Sequence, residues 1–327
     1  MKTRRMMGVG ACAPSGTEHV RALPVAFVAP ESCARVEGGW VVTDKGCGYD
    51  QPCQQVKNGR FGKVVLVRDD GSSKVLVRGL EKPNGIAVDG DGNLWIAVQG
   101  TNEIVVLRQD GEVVRTTVDG AQLLNDTAAV PWYEGAAWVS DSKTGQVHLA
   151  ALVGNHLELG TYTQLGGTPN GLAPSVTNDG VVVAGLGDFV VEPGRAGAGE
   201  VQHVDPATAA YGECGDWHGG EARKVGAPPH RKLDGIVPFT HHGKAGYLMS
   251  AIFDAEAGHL DTTLWFLPAA GGTAEKVVDV GPHGLRSAAD IGIDPKTGDV
   301  CVPDLNGSLG QPEGKPSAKV VILSGLK

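Results

Sequence analysis

The sequence has no surplus of positive charge. Its 28 Lys and Arg residues face 37 Asp and Glu, for a formal net charge of −9. The densest basic run, Lys2-Thr3-Arg4-Arg5, sits at the N-terminus. Nucleic-acid binders usually carry a basic stripe, so no nucleic-acid partner is expected. No apolar run approaches the ~20 residues of a membrane-spanning helix, so no membrane span is expected either. The six cysteines (Cys12, Cys33, Cys47, Cys53, Cys214 and Cys301) include no CxxC pair, which argues against a zinc ribbon or thioredoxin-type site. G-x-S-x-G, HExxH and Walker A motifs are all missing. Gly185-Leu186-Gly187 lacks the third glycine of a dinucleotide fingerprint. Aromatic residues make up only 5% of the chain, and no stretch sustains a helical 3.6-residue period.

Turn chemistry and short strands are abundant. Gly (49) and Pro (19) together form about a fifth of the chain, while hydrophobic residues reach 41%. That is too apolar for disorder and suits a core laid down in many thin layers. Runs such as Lys63-Val64-Val65-Leu66-Val67-Arg68 and Leu94-Trp95-Ile96-Ala97-Val98 are short and rich in β-branched residues. Asp-Gly pairs separate many of them, as at Asp70-Gly71, Asp89-Gly90, Asp110-Gly111 and Asp179-Gly180. Such pairs tolerate the positive φ of tight hairpin turns, so a β meander is expected.

The meander repeats one phrase. A small residue, Pro or Leu precedes Asn or Asp, then come Gly or another residue and an apolar strand. It occurs as Pro83-Asn84-Gly85-Ile86, Leu124-Asn125-Asp126, Pro169-Asn170-Gly171-Leu172, Leu233-Asp234-Gly235-Ile236 and Ala289-Asp290-Ile291. With Glu31 there are six marks, separated by 53, 41, 45, 64 and 56 residues. A four-stranded propeller blade needs ~40 residues, so six marks suggest an all-β six-bladed β-propeller. The longer intervals carry insertions at 44–59, 192–199 and 211–231. The marked residue precedes the innermost strand of each unit, which places it at the mouth of a central channel. Glu31, Asn125, Asn170 and Asp234 would each supply one oxygen there. Ca2+, or another divalent cation, accepts ~6–8 oxygens, whereas zinc prefers nitrogen and sulfur. Turns also favour Asn, Asp and Gly, and for any single mark that explanation is the stronger. His283, in Gly281-Pro282-His283-Gly284, lies just before the last mark and is a further pocket candidate. The adjacent His241-His242 pair is expected on the surface of a hairpin.

These phrases resemble the senescence-marker-protein/gluconolactonase family, the regucalcin-like propellers, which also includes calcium-dependent diisopropylfluorophosphatases. The likeness runs from about residue 24 to the end, through Pro30-Glu31-Ser32, Leu124-Asn125-Asp126, Val139-Ser140-Asp141-Ser142, Pro169-Asn170-Gly171-Leu172, Leu233-Asp234-Gly235-Ile236 and Ala289-Asp290-Ile291-Gly292. Each motif is short, so the likeness is specific as an ordered set and weak singly. It implies a six-bladed propeller with a central divalent cation held by Glu31, Asn125, Asn170 and Asp234. It implies that Asp234 acts as general base or nucleophile. Asn84, Asp290 and His283 are then candidates for substrate or supporting contacts. The family's common Glu-Gly-Pro is Pro30-Glu31-Ser32-Cys33 here, and the segment between Cys47 and Cys53 is unfamiliar.

The expected organisation is an N-terminal tail over residues 1–22 and a propeller over 23–327, with residues 25–28 closing the ring against the last blade. The first twelve residues leave two readings open, a plain tail or an atypical export segment; Met6 to Ala11 is shorter than the ~7–15 apolar residues of a signal centre. Cytoplasmic and exported locations both stand. Cys47 and Cys53 are placed to close a small disulfide, or to remain as thiols. The leading functional expectation is a monomeric, metal-dependent lactonase or esterase acting on a small molecule. Two alternatives stand beside it: a non-catalytic binding or scaffold propeller with a structural cation, and a metal-free propeller enzyme of the strictosidine-synthase type.

Overall fold

The computed structural model describes residues 19–46, 62–187, 199–205, 221–306 and 317–326. The Cys47–Cys53 pairing and most of the three insertions lie outside them. The described residues contain no α-helix, only one 3-10 turn at Gly281–His283.

Strand β1 (His19–Ala22) comes first but belongs to the last blade. Blade I comprises β2 (Pro30–Val36), β3 (Gly39–Asp44), β4 (Gly62–Arg68) and β5 (Ser73–Leu80). Blade II comprises β6 (Pro83–Val88), β7 (Leu94–Val98), β8 (Glu103–Leu107) and β9 (Val113–Thr117). Blade III follows with β10 (Leu124–Ala129), β11 (Ala136–Asp141), β12 (Gln146–Val153) and β13 (His156–Gln164). Blade IV holds β14 (Pro169–Pro174), β15 (Val181–Gly185), β16 (Val201–Val204) and β17 (Ala222–Gly226). Blade V holds β18 (Arg231–His241), β19 (Lys244–Asp254), the short β20 (His259–Leu260), β21 (Thr263–Pro268) and β22 (Glu275–Asp279). Blade VI is β23 (Gly292–Ile293), β24 (Val300–Pro303), β25 (Val320–Ser324) and β1. The protein is a six-bladed β-propeller.

Every blade is an antiparallel meander whose first strand lines the axis. Alternation of side chains sends each inner sheet face to a different neighbour. In β7, Leu94, Ile96 and Val98 pack with blade I, while Trp95 and Ala97 pack with blade III. In β15, Val181 and Val183 face blade III and Val182 and Ala184 face blade V. The core is therefore six thin apolar layers, one per blade junction. This is why a run such as Leu94-Trp95-Ile96-Ala97-Val98 is apolar at every position.

The ring closes between blades I and VI. Strand β1 pairs with β25 from His19↔Ser324 to Ala22↔Val321. The closing strand thus lies upstream of residues 25–28. From that segment Phe27 adds a single bridge to Ala318. Radial repetition leaves only short sheet edges, such as that of the four-residue β1 at the rim of the last blade. A disulfide between Cys33 of β2 and Cys301 of β24 spans the same junction, inside its apolar layer.

Candidate functional site

The inner strands share one irregularity. In blade I, Pro30 faces Asp44 and Cys33 faces Val42, so Glu31 and Ser32 oppose the single residue Thr43. The same two-against-one bulge places Asn84-Gly85 opposite Ala97, Asn125-Asp126 opposite Ser140, Asn170-Gly171 opposite Ala184 and Asp234-Gly235 opposite Ser250. In blade VI, Ala289 N–H bonds to Pro303 O while Gly292 pairs with Cys301, so Asp290-Ile291 opposes Val302. All six marked residues therefore occupy the first position of a bulge, and all six are buried. A bulge re-aims a side chain out of the regular alternation, here at the hub where six inner strands meet.

The second bulge position faces the next blade at close quarters. A Cβ on Gly171 would fall on the Asp234 carbonyl, one on Gly85 on Asp126, and one on Gly235 on Asp290 and the Ile291 amide. That contact, rather than turn geometry, requires the glycine of the repeated phrase. The residue opposite the bulge is Thr, Ser or Ala in five blades and Val302 in the sixth, and in three blades it carries a hydroxyl. Thr43, Ser140 and Ser250 accept the N–H of Ser32 (3.0 Å), Asp126 (2.9 Å) and Gly235 (2.8 Å). Thr43 and Ser140 also donate to the carbonyls of Asn84 (2.6 Å) and Asn170 (2.7 Å) in the following blade. One hydroxyl thus fixes both a bulge and the next marked residue.

An aspartate ending the second strand braces the approach to the hub. Asp44 accepts N–H groups of Val28, Ala29 and Gly46. Asp141 accepts those of Gln122, Leu123 and Lys143, and Asp304 those of Arg286 and Ser287. Val42-Thr43-Asp44 repeats Val139-Ser140-Asp141, so the hydroxyl and its adjacent aspartate form a second phrase in the repeat.

Hydrogen bonds set the amide orientations. Ser142 Oγ donates to Pro169 O (2.6 Å) and must accept from Asn125 Nδ2 (2.8 Å). Asn125 Oδ1 therefore faces Asn84 and accepts its Nδ2 (3.0 Å). Asn170 Nδ2 donates to Leu233 O (3.1 Å) and to Asp234 Oδ1 (2.8 Å). At the hub, four buried acceptors are left without a hydrogen-bond partner: Glu31 Oε2, Asn84 Oδ1, Asn170 Oδ1 and Asp234 Oδ2. Of the four ligands expected from the sequence, three keep an open oxygen. Asn125 spends its oxygen on Asn84, which presents the open one in its place.

The charges are uneven. Lys45 Nζ lies 3.2 Å from Glu31 Oε1, with both residues buried. Burial drives the Asp234 carboxyl well above its usual range, and Glu31 and Asp290 push it further. Lys45 and the Asn170 hydrogen bond pull it back. Asp290 is tied to blade I. Its Oδ2 accepts Ser32 Oγ (2.5 Å), and burial followed by the nearby Asp126 raises it strongly. Asp126 itself is raised to about 7 by burial, against the pull of the Leu172 and Thr127 amides. It accepts both amides at 2.6 Å.

His283 is not part of this cluster. It ends the 3-10 turn, exposed, and none of the hub's hydrogen bonds reaches it. Of the His241-His242 pair, expected on the surface, His241 is buried with Nδ1 3.1 Å from Leu326 O. Lys45 and Ser32 join the cluster as well, through Glu31 and Asp290. A lysine following a strand-end aspartate carries no local signal, since only the return of β3 to β2 brings it to Glu31. A cavity of about 1030 Å³ is lined by inner-strand residues beyond the bulges, with Asp126, Asp290, Arg35, His242 and Lys296 in its wall.

Among the described residues no group of three or more His, Cys, Asp or Glu side chains is arranged to hold a metal ion. The open set at the hub is two carboxylates and two amides. Oxygen-only donors with four unsatisfied, buried acceptors fit a hard cation such as Ca2+ and do not fit zinc. No helix of the described residues is long and apolar enough to cross a membrane.

No family model matches the sequence, and no curated protein matches it. Solved structures do. A gluconolactonase of Xanthomonas campestris superposes with a TM-score of 0.62 at 16% identity, covering 94% of this chain and 90% of its own. A luciferin-regenerating enzyme gives 0.60 at 12%, covering 95% and 96%. Virginiamycin B lyase of Staphylococcus aureus gives 0.58 at 10%, covering 94% and 99%. At such identities the likeness establishes the fold: the chain is a six-bladed propeller similar in architecture to gluconolactonases and to a lyase.

Proposed function

We propose that this protein is a divalent-cation-dependent hydrolase of lactones or related esters. One observation carries the reading: four blades present an open, buried oxygen from the same bulge position. Leaving such acceptors unsatisfied costs ~1–3 kcal/mol each, so a hub that keeps four of them is built for an occupant. Glu31, Asn84, Asn170 and Asp234 would hold the cation, with Asn125 orienting Asn84. Bound there, the cation would polarise a substrate carbonyl and acidify a water. Asp234 Oδ2 takes the proton of the attacking water and returns it to the departing alkoxide. Asn170 holds Asp234 Oδ1 and so aims the other oxygen. Lys45 offsets part of the rise that burial, Glu31 and Asp290 impose on Asp234. The gluconolactonase among the structural neighbours is consistent with this substrate class.

The test is a panel of lactones, esters and phosphotriesters assayed with and without chelator, on the natural chain and on Asp234→Asn. Loss of a positioned general base is worth ~10²–10⁴-fold, so hydrolysis should fall by about 10³-fold in the variant and vanish with chelator. Hydrolysis that survives both changes would sink the proposal.

A further inference from the structure

Lys45 is an unusual neighbour for a cation site. It follows β3 directly, and its backbone is held on both sides: its own N–H bonds to Ala29 O (3.0 Å), and Asp44 accepts the N–H of Gly46 (3.2 Å). The side chain is therefore delivered from a braced position. Only 4% of the residue is exposed, and Glu31 Oε1 is an ion-pair partner of its Nζ at 3.2 Å. Buried lysines are rare unless paired, and this one is paired with a residue whose other oxygen is open. Its charge also acts on Asp234. The ammonium thus neutralises the same two carboxylates that a divalent cation would use.

We propose that Lys45 is a tethered internal cation that competes with divalent ions for Glu31 and sets this chain's affinity for them. This rests on reading the hub as a cation site. A divalent ion at Glu31 and Asp234 would sit beside a like charge that water barely screens, so it binds well only once the ammonium is displaced or removed. In the absence of divalent ions, Lys45 keeps the hub from holding uncompensated buried carboxylates. A hub with a built-in counter-charge remains folded when divalent ions are scarce and loads only when they are plentiful.

The experiment uses the full chain stripped with chelator, titrated with Ca2+ alone by calorimetry and by thermal unfolding. The variants are Lys45→Met, which keeps length and removes charge, and Lys45→Arg, which keeps charge. Lys45→Met should bind Ca2+ at least tenfold more tightly than the natural chain, and Lys45→Arg should not. Without Ca2+, Lys45→Met should unfold at a lower temperature, and Ca2+ should restore it. Glu31→Gln added to Lys45→Met should abolish that restoration, which places the ion at the hub. If the natural chain and Lys45→Met bind Ca2+ equally, the competition is refuted while the cation site stands. If no variant binds Ca2+ by either readout, the cation site itself fails and the competition with it.

Discussion

Glu31 and Asp126 are buried carboxylates in neighbouring positions of the same backbone device, and they are treated in opposite ways. Glu31, at the first position of its bulge, has one oxygen on Lys45 and the other on nothing. Asp126, at the second position, has both oxygens on backbone amides. The first positions face the axis, where no protein group reaches the open oxygens. The second positions face the next blade, which supplies N–H groups to Ser32 and Asp126 and leaves room only for hydrogen at Gly85, Gly171 and Gly235. One bulge therefore yields a ring with four open oxygens and a structural ring one residue apart, which keeps unsatisfied groups in a stable fold.

The contrast can be broken from either side. The largest effect outside catalysis is expected at the structural ring. Gly235→Ala drives a methyl group into the Ile291 amide and the Asp290 carboxyl, and overpacking against backbone should cost about 3 kcal/mol in urea unfolding. Replacing Cys301 by Ser releases the bond between blades I and VI and should lower stability by ~2–4 kcal/mol, with the natural chain under reductant as its match. Asp126→Asn leaves one buried amide poorly served and should cost ~1–3 kcal/mol without changing the shift in unfolding temperature that Ca2+ produces. Glu31→Gln should do the reverse, removing the Ca2+ response. Equal responses in these two variants would erase the distinction between the rings.

A pH dependence tests the same contrast without a mutation. Asp126 holds its proton to about pH 7 in the folded protein, against an ordinary value of 3.8 in the unfolded chain. The folded state binds the extra proton, so this stabilisation is complete below about 3.8 and lost as pH rises to about 7. Asp234 and Asp290 are shifted the same way and add to the loss. In chelator, urea midpoints should therefore fall as pH rises through this window, and Asp126→Asn should flatten the fall. A midpoint that rises over the same window would contradict the placement of these carboxyls.

The blade count was legible because each blade must solve the same problem. Its inner strand needs a bulge, a close approach and a start signal, so Asn84-Gly85, Asn170-Gly171 and Asp234-Gly235 recur in like words. Asp126 looked like part of a phrase rather than a group with its own environment, because its partners Leu172 and Asp290 come from other blades. Lys45 and the Cys33–Cys301 bond were illegible for the same reason. Cys47 and Cys53, close in sequence, drew attention, while the bonded pair is 268 residues apart.

Period and residue type along the chain were enough to determine six β units and the six polar residues that head them, since local backbone rules act over a few residues. Which oxygens stay open, which are tied, and which lysine answers them was decided only when the ring closed. Those outcomes depend on groups from different blades meeting at the axis, and no spacing in the sequence encodes that distance.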